Sequence, residues 1–154
     1  MIGEGGCACG AVRYRMTRAP MFVHCCHCTS CQTETGSAFV INALVECDAV
    51  ETLAGAPEPV MTPSESGRGQ QIWRCPQCQV ALWSNYGGAT DVLRFVRVGA
   101  LDDPGALPPD IHIYTRSKLP WLRLPEGALA VEAYYDSSEV WPPESLERRK
   151  ALFG

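Results

Sequence analysis

Residues 24–31 read His24-Cys25-Cys26-His27-Cys28-Thr29-Ser30-Cys31, which places four cysteines and two histidines in eight positions. Thiols this dense do not build an apolar core. Each sulfur is a soft ligand that deprotonates easily, and the spacing Cys26-x-Cys28-x-x-Cys31 lets three of them turn onto one soft cation such as zinc. Any fold of this chain has to bring that loop together without scattering its sulfurs. The competing reading, reduced buried thiols or a local disulfide, is weakened by two further cysteine pairs elsewhere in the chain.

Those pairs are Cys7-Ala8-Cys9, flanked by glycines that let the backbone bend, and Cys75-Pro76-Gln77-Cys78, which has the spacing of a zinc knuckle. Two residues between cysteines form a tight turn that aims both thiolates at one ion, and structural zinc needs about four ligands. Cys7 and Cys9 are the natural partners of Cys75 and Cys78, because the other cysteines already contain a compact group of their own. A closed four-thiolate site would tie the N-terminus to the middle of the chain and supply folding free energy directly. By contrast, Cys26, Cys28 and Cys31 offer three ligands and leave a fourth position open, as catalytic zinc sites do. Strand alternation points Cys25 and His27 away from that group. His24 and His112 read as isolated, satisfied or exposed histidines, and Cys47, among apolar neighbours, reads as a core residue.

Nine cysteines are an odd number, and the chain shows neither a signal-peptide pattern at its start nor an apolar run long enough to span a bilayer. A cytoplasmic setting is therefore expected, where metal ligation explains the thiols better than disulfides do. The 154 residues suit one sizeable core, and a net charge of −4 with scattered basic residues excludes a nucleic-acid-binding footprint.

Most of the chain reads as short strands punctuated by glycine and proline. Strands are expected over residues 11–16, 21–23, 38–44, 80–86, 92–98 and 111–114. Val60-Met61-Thr62 and Gln71-Ile72-Trp73 should form a hairpin with an exposed tip at residues 63–69. Residues 33–37 read as a polar turn, residues 48–53 are ambiguous, Gly87-Gly88 should turn the chain, and residues 101–110 read as a loop. Only residues 143–153 carry a convincing helical pattern, with proline in the first turn. A mainly β domain over residues 1–130 follows, with residues 131–154 as a C-terminal extension bearing the short helix, packed on the same domain.

The ordered motifs Gly6-Cys7-x-Cys9-Gly10-x-Val12-x-Tyr14, Cys26-His27-Cys28-x-x-Cys31 with Thr35-Gly36-Ser37-Ala38-Phe39, and Cys75-Pro76-x-Cys78 with Leu82 resemble the glutathione-dependent formaldehyde-activating enzymes, a family that includes centromere protein V. The resemblance spans about residues 3 to 100 and extends weakly to His112-Ile113 and Trp121. It implies an Mss4-like zinc-binding β fold and two zinc ions per chain. One would be structural, on Cys7, Cys9, Cys75 and Cys78; the second would sit at the open site of Cys26, Cys28 and Cys31. Gln79 departs from the glycine usual in that family after the knuckle, where positive φ is expected, and Cys25 is an additional thiol able to compete for metal.

The resemblance further implies a carbon–sulfur lyase-type reaction in which glutathione and formaldehyde form S-hydroxymethylglutathione, or a related thiol adduct reacts. Zinc at the open site would hold the thiolate more readily than polarise the aldehyde, since three thiolates make it a weak Lewis acid. Arg74, Arg94, Arg97, Arg116 and Lys118 are candidates for glutathione's carboxylates, and the Gly36-Ser37 backbone is another anion candidate. The alternative is a non-catalytic zinc module for protein interaction or metal handling. A methionine sulfoxide reductase would need a late redox cysteine, and none follows Cys78. An exposed apolar face could support a homodimer.

Overall fold

The computed structural model describes residues 2–87 and 92–153. Ten strands form two sheets: β1 (Gly3–Gly6), β2 (Arg13–Met16), β3 (Phe22–Cys26), β4 (Val40–Glu46), β5 (Val50–Ala54), β6 (Glu58–Thr62), β7 (Gln70–Arg74), β8 (Ala81–Tyr86), β9 (Leu93–Arg97) and β10 (Ile111–Ile113). The smaller sheet has the order β1-β2-β5, and the larger runs β10-β3-β4-β9-β8-β7-β6. All pairings are antiparallel except β10 on β3. The protein is mainly β, as expected.

Alternation builds the core. Tyr14 and Met16 of β2 point inward and are fully buried, and they pack with Val23, Ala43, Val45, Leu82, Trp83 and Val96. The opposite face of the large sheet contributes Phe22, Val40, Leu44, Leu93, Ile111 and Ile113 to a second cluster, joined by Trp141 from the C-terminal segment. β3 lies at the junction and is buried at all five positions, which is why its sequence alternates so weakly.

The helices are short: α1 (Thr29–Thr35), α2 (Ser137–Val140) and α3 (Pro143–Phe153). None is long and apolar enough to cross a membrane. α3 matches its sequence expectation, and it is fixed by Ser145 Oγ donating to Met21 O (2.7 Å) and by Arg148 paired with Glu46 (2.6 Å). α1 replaces the turn expected over residues 33–37. Its threonines, serine and cysteine are weak helix formers, yet Cys28 Sγ caps the start by accepting from Cys31 N–H (3.2 Å). Gly36 ends the helix at φ 68°, the left-handed position that favours glycine.

Other differences are local. The ambiguous residues 48–53 form the end of a 3-10 turn and most of β5. The loop of residues 101–110 also contains such a turn, at Pro104–Ala106, favoured by proline in its first position. Cys47 is half-buried rather than in the core, because that first 3-10 turn carries it to the edge while Ala49 takes the inward place. The expected hairpin forms as β6–β7, with Val60 opposite Ile72 and Met61 opposite Gln71. Gly87 turns, as expected, and Gly88 lies outside the described residues.

Candidate metal centres and the adjoining cavity

The four sulfurs of Cys7, Cys9, Cys75 and Cys78 gather into one group, with ligand atoms within 4.8 Å of one another. Cys7 and Cys9 sulfurs are 3.6 Å apart, and Cys9 and Cys75 sulfurs 3.7 Å. Four thiolates about 2.3 Å from a tetrahedral zinc lie about 3.8 Å from one another, so the donor set fits that ion. The knuckle is closed by Cys75 N–H donating to Val80 O (3.1 Å) and Gln79 N–H to Cys75 O (2.9 Å). Gln79 has φ 66°, a left-handed conformation that favours glycine, and its side-chain amide returns a bond to Pro76 O at 3.1 Å. Although burial pushes Cys7 up, Val12 N–H and the thiols of Cys9, Cys75 and Cys78 bring it down to about 6. Cys78 is lowered first by Val80 N–H. The thiolate form is thus favoured at Cys7 and Cys78, whereas at Cys9 the lowering by the Ala11 N–H is outweighed by sharing with Cys7 and by burial, which push it up to about 11.

Cys26, Cys28 and Cys31 form a separate, buried group. β3 supplies Cys26, the residue capping α1 is Cys28, and Cys31 sits in the first turn of that helix. Thiol hydrogen bonds from Cys26 and Cys31, followed by backbone N–H groups of Cys31 and Ser30, push Cys28 down to about 3. Sharing with Cys28 pushes Cys26 up to about 12. Three sulfurs with a thiolate among them suit a soft or borderline cation.

The two groups are linked through one carboxylate. Glu34, on the last turn of α1, pairs with Arg74 (2.7 Å) and Arg97 (3.4 Å). Arg74 also donates to Gln79 O at 2.8 Å, holding the knuckle's left-handed residue. Arg97 continues to Asn42 Oδ1 at 2.7 Å.

A cavity of about 390 Å³ opens beside the three-cysteine group. Its walls include Cys26, Cys28 and Cys31, with Tyr86, Phe95, Tyr114 and Tyr134 as apolar surface and Glu65 and Arg68 as charges. The charges come from the hairpin tip of residues 63–69, which borders the cavity while Ser66, Gly67 and Arg68 stay exposed, as expected of the tip. Glu65 accepts from Ser30 Oγ (3.2 Å) and pairs with Arg116 (3.5 Å).

The cations singled out in the sequence are otherwise engaged. Besides Arg74, Arg97 and Arg116, Arg94 stacks on Trp83 at 4.6 Å, and Lys118 Nζ donates to the Leu119 and Leu122 carbonyls (3.3 and 2.5 Å). The Gly36-Ser37 amides are also occupied, donating to Gln32 O (2.8 Å) and Thr35 Oγ1 (3.2 Å). Arg68 has no sequence context that marks it, and Tyr134 lies in the tail, where no motif pointed to it.

His24 is neither isolated nor exposed. Tyr135 Oη accepts from Trp141 Nε1 (2.7 Å) and is hydrogen-bonded to His24 Nε2 at 2.5 Å. Burial pushes His24 down to about 4. Cys25 and His27 do face away from the three-cysteine group, and His27 is fully buried beside His112. Burial pushes Cys25 up to about 12 and His27 down to about 4.

A β domain with a four-cysteine group and a three-cysteine group at a cavity defines a class of cysteine-rich β proteins whose thiol clusters could hold metal ions. The family model "glutathione-dependent formaldehyde-activating enzyme" matches residues 2–117, and the chain belongs to that family. A relative from Halomonas elongata, provisionally named as a glutathione-dependent formaldehyde-activating enzyme, is 28% identical over 131 residues, covering 80% of this chain and 82% of its own. A crystal structure of a Rhodobacter sphaeroides protein is similar with a TM-score of 0.48 and 19% identity, covering 64% of this chain and 87% of that one.

Proposed function

We propose that this protein is a zinc-dependent enzyme of carbon–sulfur lyase type that joins glutathione and formaldehyde to S-hydroxymethylglutathione, or acts on a related thiol adduct. The observation that carries this reading is the placement of Cys26, Cys28 and Cys31 in the wall of the cavity. A zinc ion held by these three cysteines would supply a vacant ligand position that keeps a bound thiol deprotonated at neutral pH.

The chain's own residues do the rest. Tyr86, Phe95, Tyr114 and Tyr134 form a largely apolar wall that excludes water from the reacting carbon. Arg68 suits a glutathione carboxylate and Glu65 suits its ammonium, placing opposite charges on the segment that covers the cavity. In the forward direction the thiol sulfur bonds to the formaldehyde carbon, the C=O π pair moves to oxygen, and the proton lost by the thiol ends on that oxygen. Cys7, Cys9, Cys75 and Cys78 serve structure, holding the N-terminus to the knuckle with a second zinc.

The test is the rate of S-hydroxymethylglutathione formation above the uncatalysed background, measured with zinc-loaded wild type and with Cys28→Ser. Acceleration that Cys28→Ser abolishes while losing about one zinc is the expected result. A rate equal to background, with no glutathione binding, identifies a non-catalytic zinc module instead.

A further inference from the structure

β3 serves two opposite faces. His24 and Cys26 point into the cavity side, paired across the strands with Asn42 and Val40, while Cys25 and His27 project from the other side. β10 runs parallel to β3 with His112 opposite Cys25, so a third side chain arrives on that same side. The result is a cluster outside both cysteine groups already described. Cys25 Sγ is 3.5 Å from His27 Nε2, His27 Nε2 is 3.0 Å from His112 Nδ1, and all three ligand atoms lie within 4.8 Å of one another.

We propose that Cys25, His27 and His112 form a third site for a zinc-class transition-metal ion, back to back with the open three-cysteine group. Three features support it. First, three ligand atoms converge on one point, and His27 Nε2 alone faces both a sulfur and a second imidazole nitrogen. Second, a tetrahedral ion about 2.3 Å from sulfur and about 2.0 Å from nitrogen sets S···N at about 3.5 Å and N···N at about 3.3 Å. The observed 3.5 Å S···N separation already matches, and the imidazoles need to part by only a few tenths of an ångström from 3.0 Å. Third, the exposures of Cys25, His27 and His112 are 1%, 0% and 9%, so an ion held among them would be shielded from water.

The charge also fits. One thiolate and two neutral imidazoles leave a divalent ion with a net positive charge, opposite in sign to a zinc held by three thiolates across the strand. An ion here would fasten β10 to β3 and so fix Ile113 and Tyr114, which line the cavity. The site takes no part in the proposed chemistry.

The experiment counts metal in the full, reduced chain. Zinc per chain after loading and dialysis is expected to be three in wild type and two in Cys25→Ala and in His112→Ala. Cobalt titration of the wild type gives an independent reading that needs no variant to fold: a third step should appear with the sulfur-to-metal absorption of a single thiolate. Two zincs per chain in wild type, with no third cobalt step, would overturn the third site and leave the proposed function standing. Three zincs retained in Cys25→Ala would also overturn it. Fewer than two in wild type would sink both this site and the two-zinc reading on which the enzyme proposal rests.

Discussion

Replacing Glu34 by glutamine tests whether the buried carboxylate that joins α1 to the knuckle strand is structural. The Glu34 side chain is 7% exposed and faces Arg97 at 9% and Arg74 at 23%. Loss of one partner from a buried ion pair costs about 3–5 kcal/mol, since the remaining charge stays desolvated. Arg74 retains some water, so about 3 kcal/mol is the expected loss for this site. The cost falls mainly on Arg97, which keeps only Asn42, and whose Nε already has no partner among the described residues. In urea, with m about 2 kcal/mol/M for a chain of this size, the midpoint should fall by about 1.5 M with m unchanged. The same loss should lower Tm by about 10 °C. The assay is equilibrium unfolding at saturating zinc, followed by tryptophan fluorescence and circular dichroism. Adding Arg97→Met should recover part of the loss, because the stranded charge is then gone. A midpoint drop below about 0.3 M would refute the reasoning, placing the cluster at the energy of a surface pair.

Two further outcomes follow from the tail. The Arg148 guanidinium holds Glu46 below the usual carboxylate range, so this pair stabilises the protein fully above about pH 4.3 and is lost as pH falls through the depressed folded value; Glu46→Gln should flatten the acid limb of a stability–pH profile, and an unchanged slope would contradict this. Tyr135→Phe strands both His24 Nε2 and Trp141 Nε1 and should cost about 2–4 kcal/mol in the same unfolding assay, a loss under about 0.5 kcal/mol being the refuting result.

Local chemistry was the legible part of the sequence. The Cys75-x-x-Cys78 knuckle, the Cys26–Cys28–Cys31 group and α3 are each set by neighbours a few residues apart, so spacing and capping signals reveal them. α1 escaped because its residues disfavour helix, and its start depends on a cysteine acting as cap. Cys25 and His27 were correctly turned away from the open group by alternation, yet their partner was hidden. His112 arrives from a parallel crossover 85 residues later, and nothing local encodes that pairing. The cavity's charges were missed for a related reason: Glu65 and Arg68 sit on a tip that reads as exposed, and its place beside the cavity depends on distant contacts of Glu65 with Ser30 and Arg116.

The distance along the chain between ligands also orders their assembly during synthesis. Cys9 and Cys75 are 66 residues apart, and closing a loop of that length costs about 4 kcal/mol of chain entropy. At about 5–20 residues per second, the N-terminal pair waits several seconds for its knuckle to be made. Cys26, Cys28 and Cys31 share a single turn and pay almost none of that cost. Metal offered to the nascent chain would therefore meet a complete three-cysteine loop first, while the four-cysteine group would be complete only once β3, β4, β6 and β7 have been made.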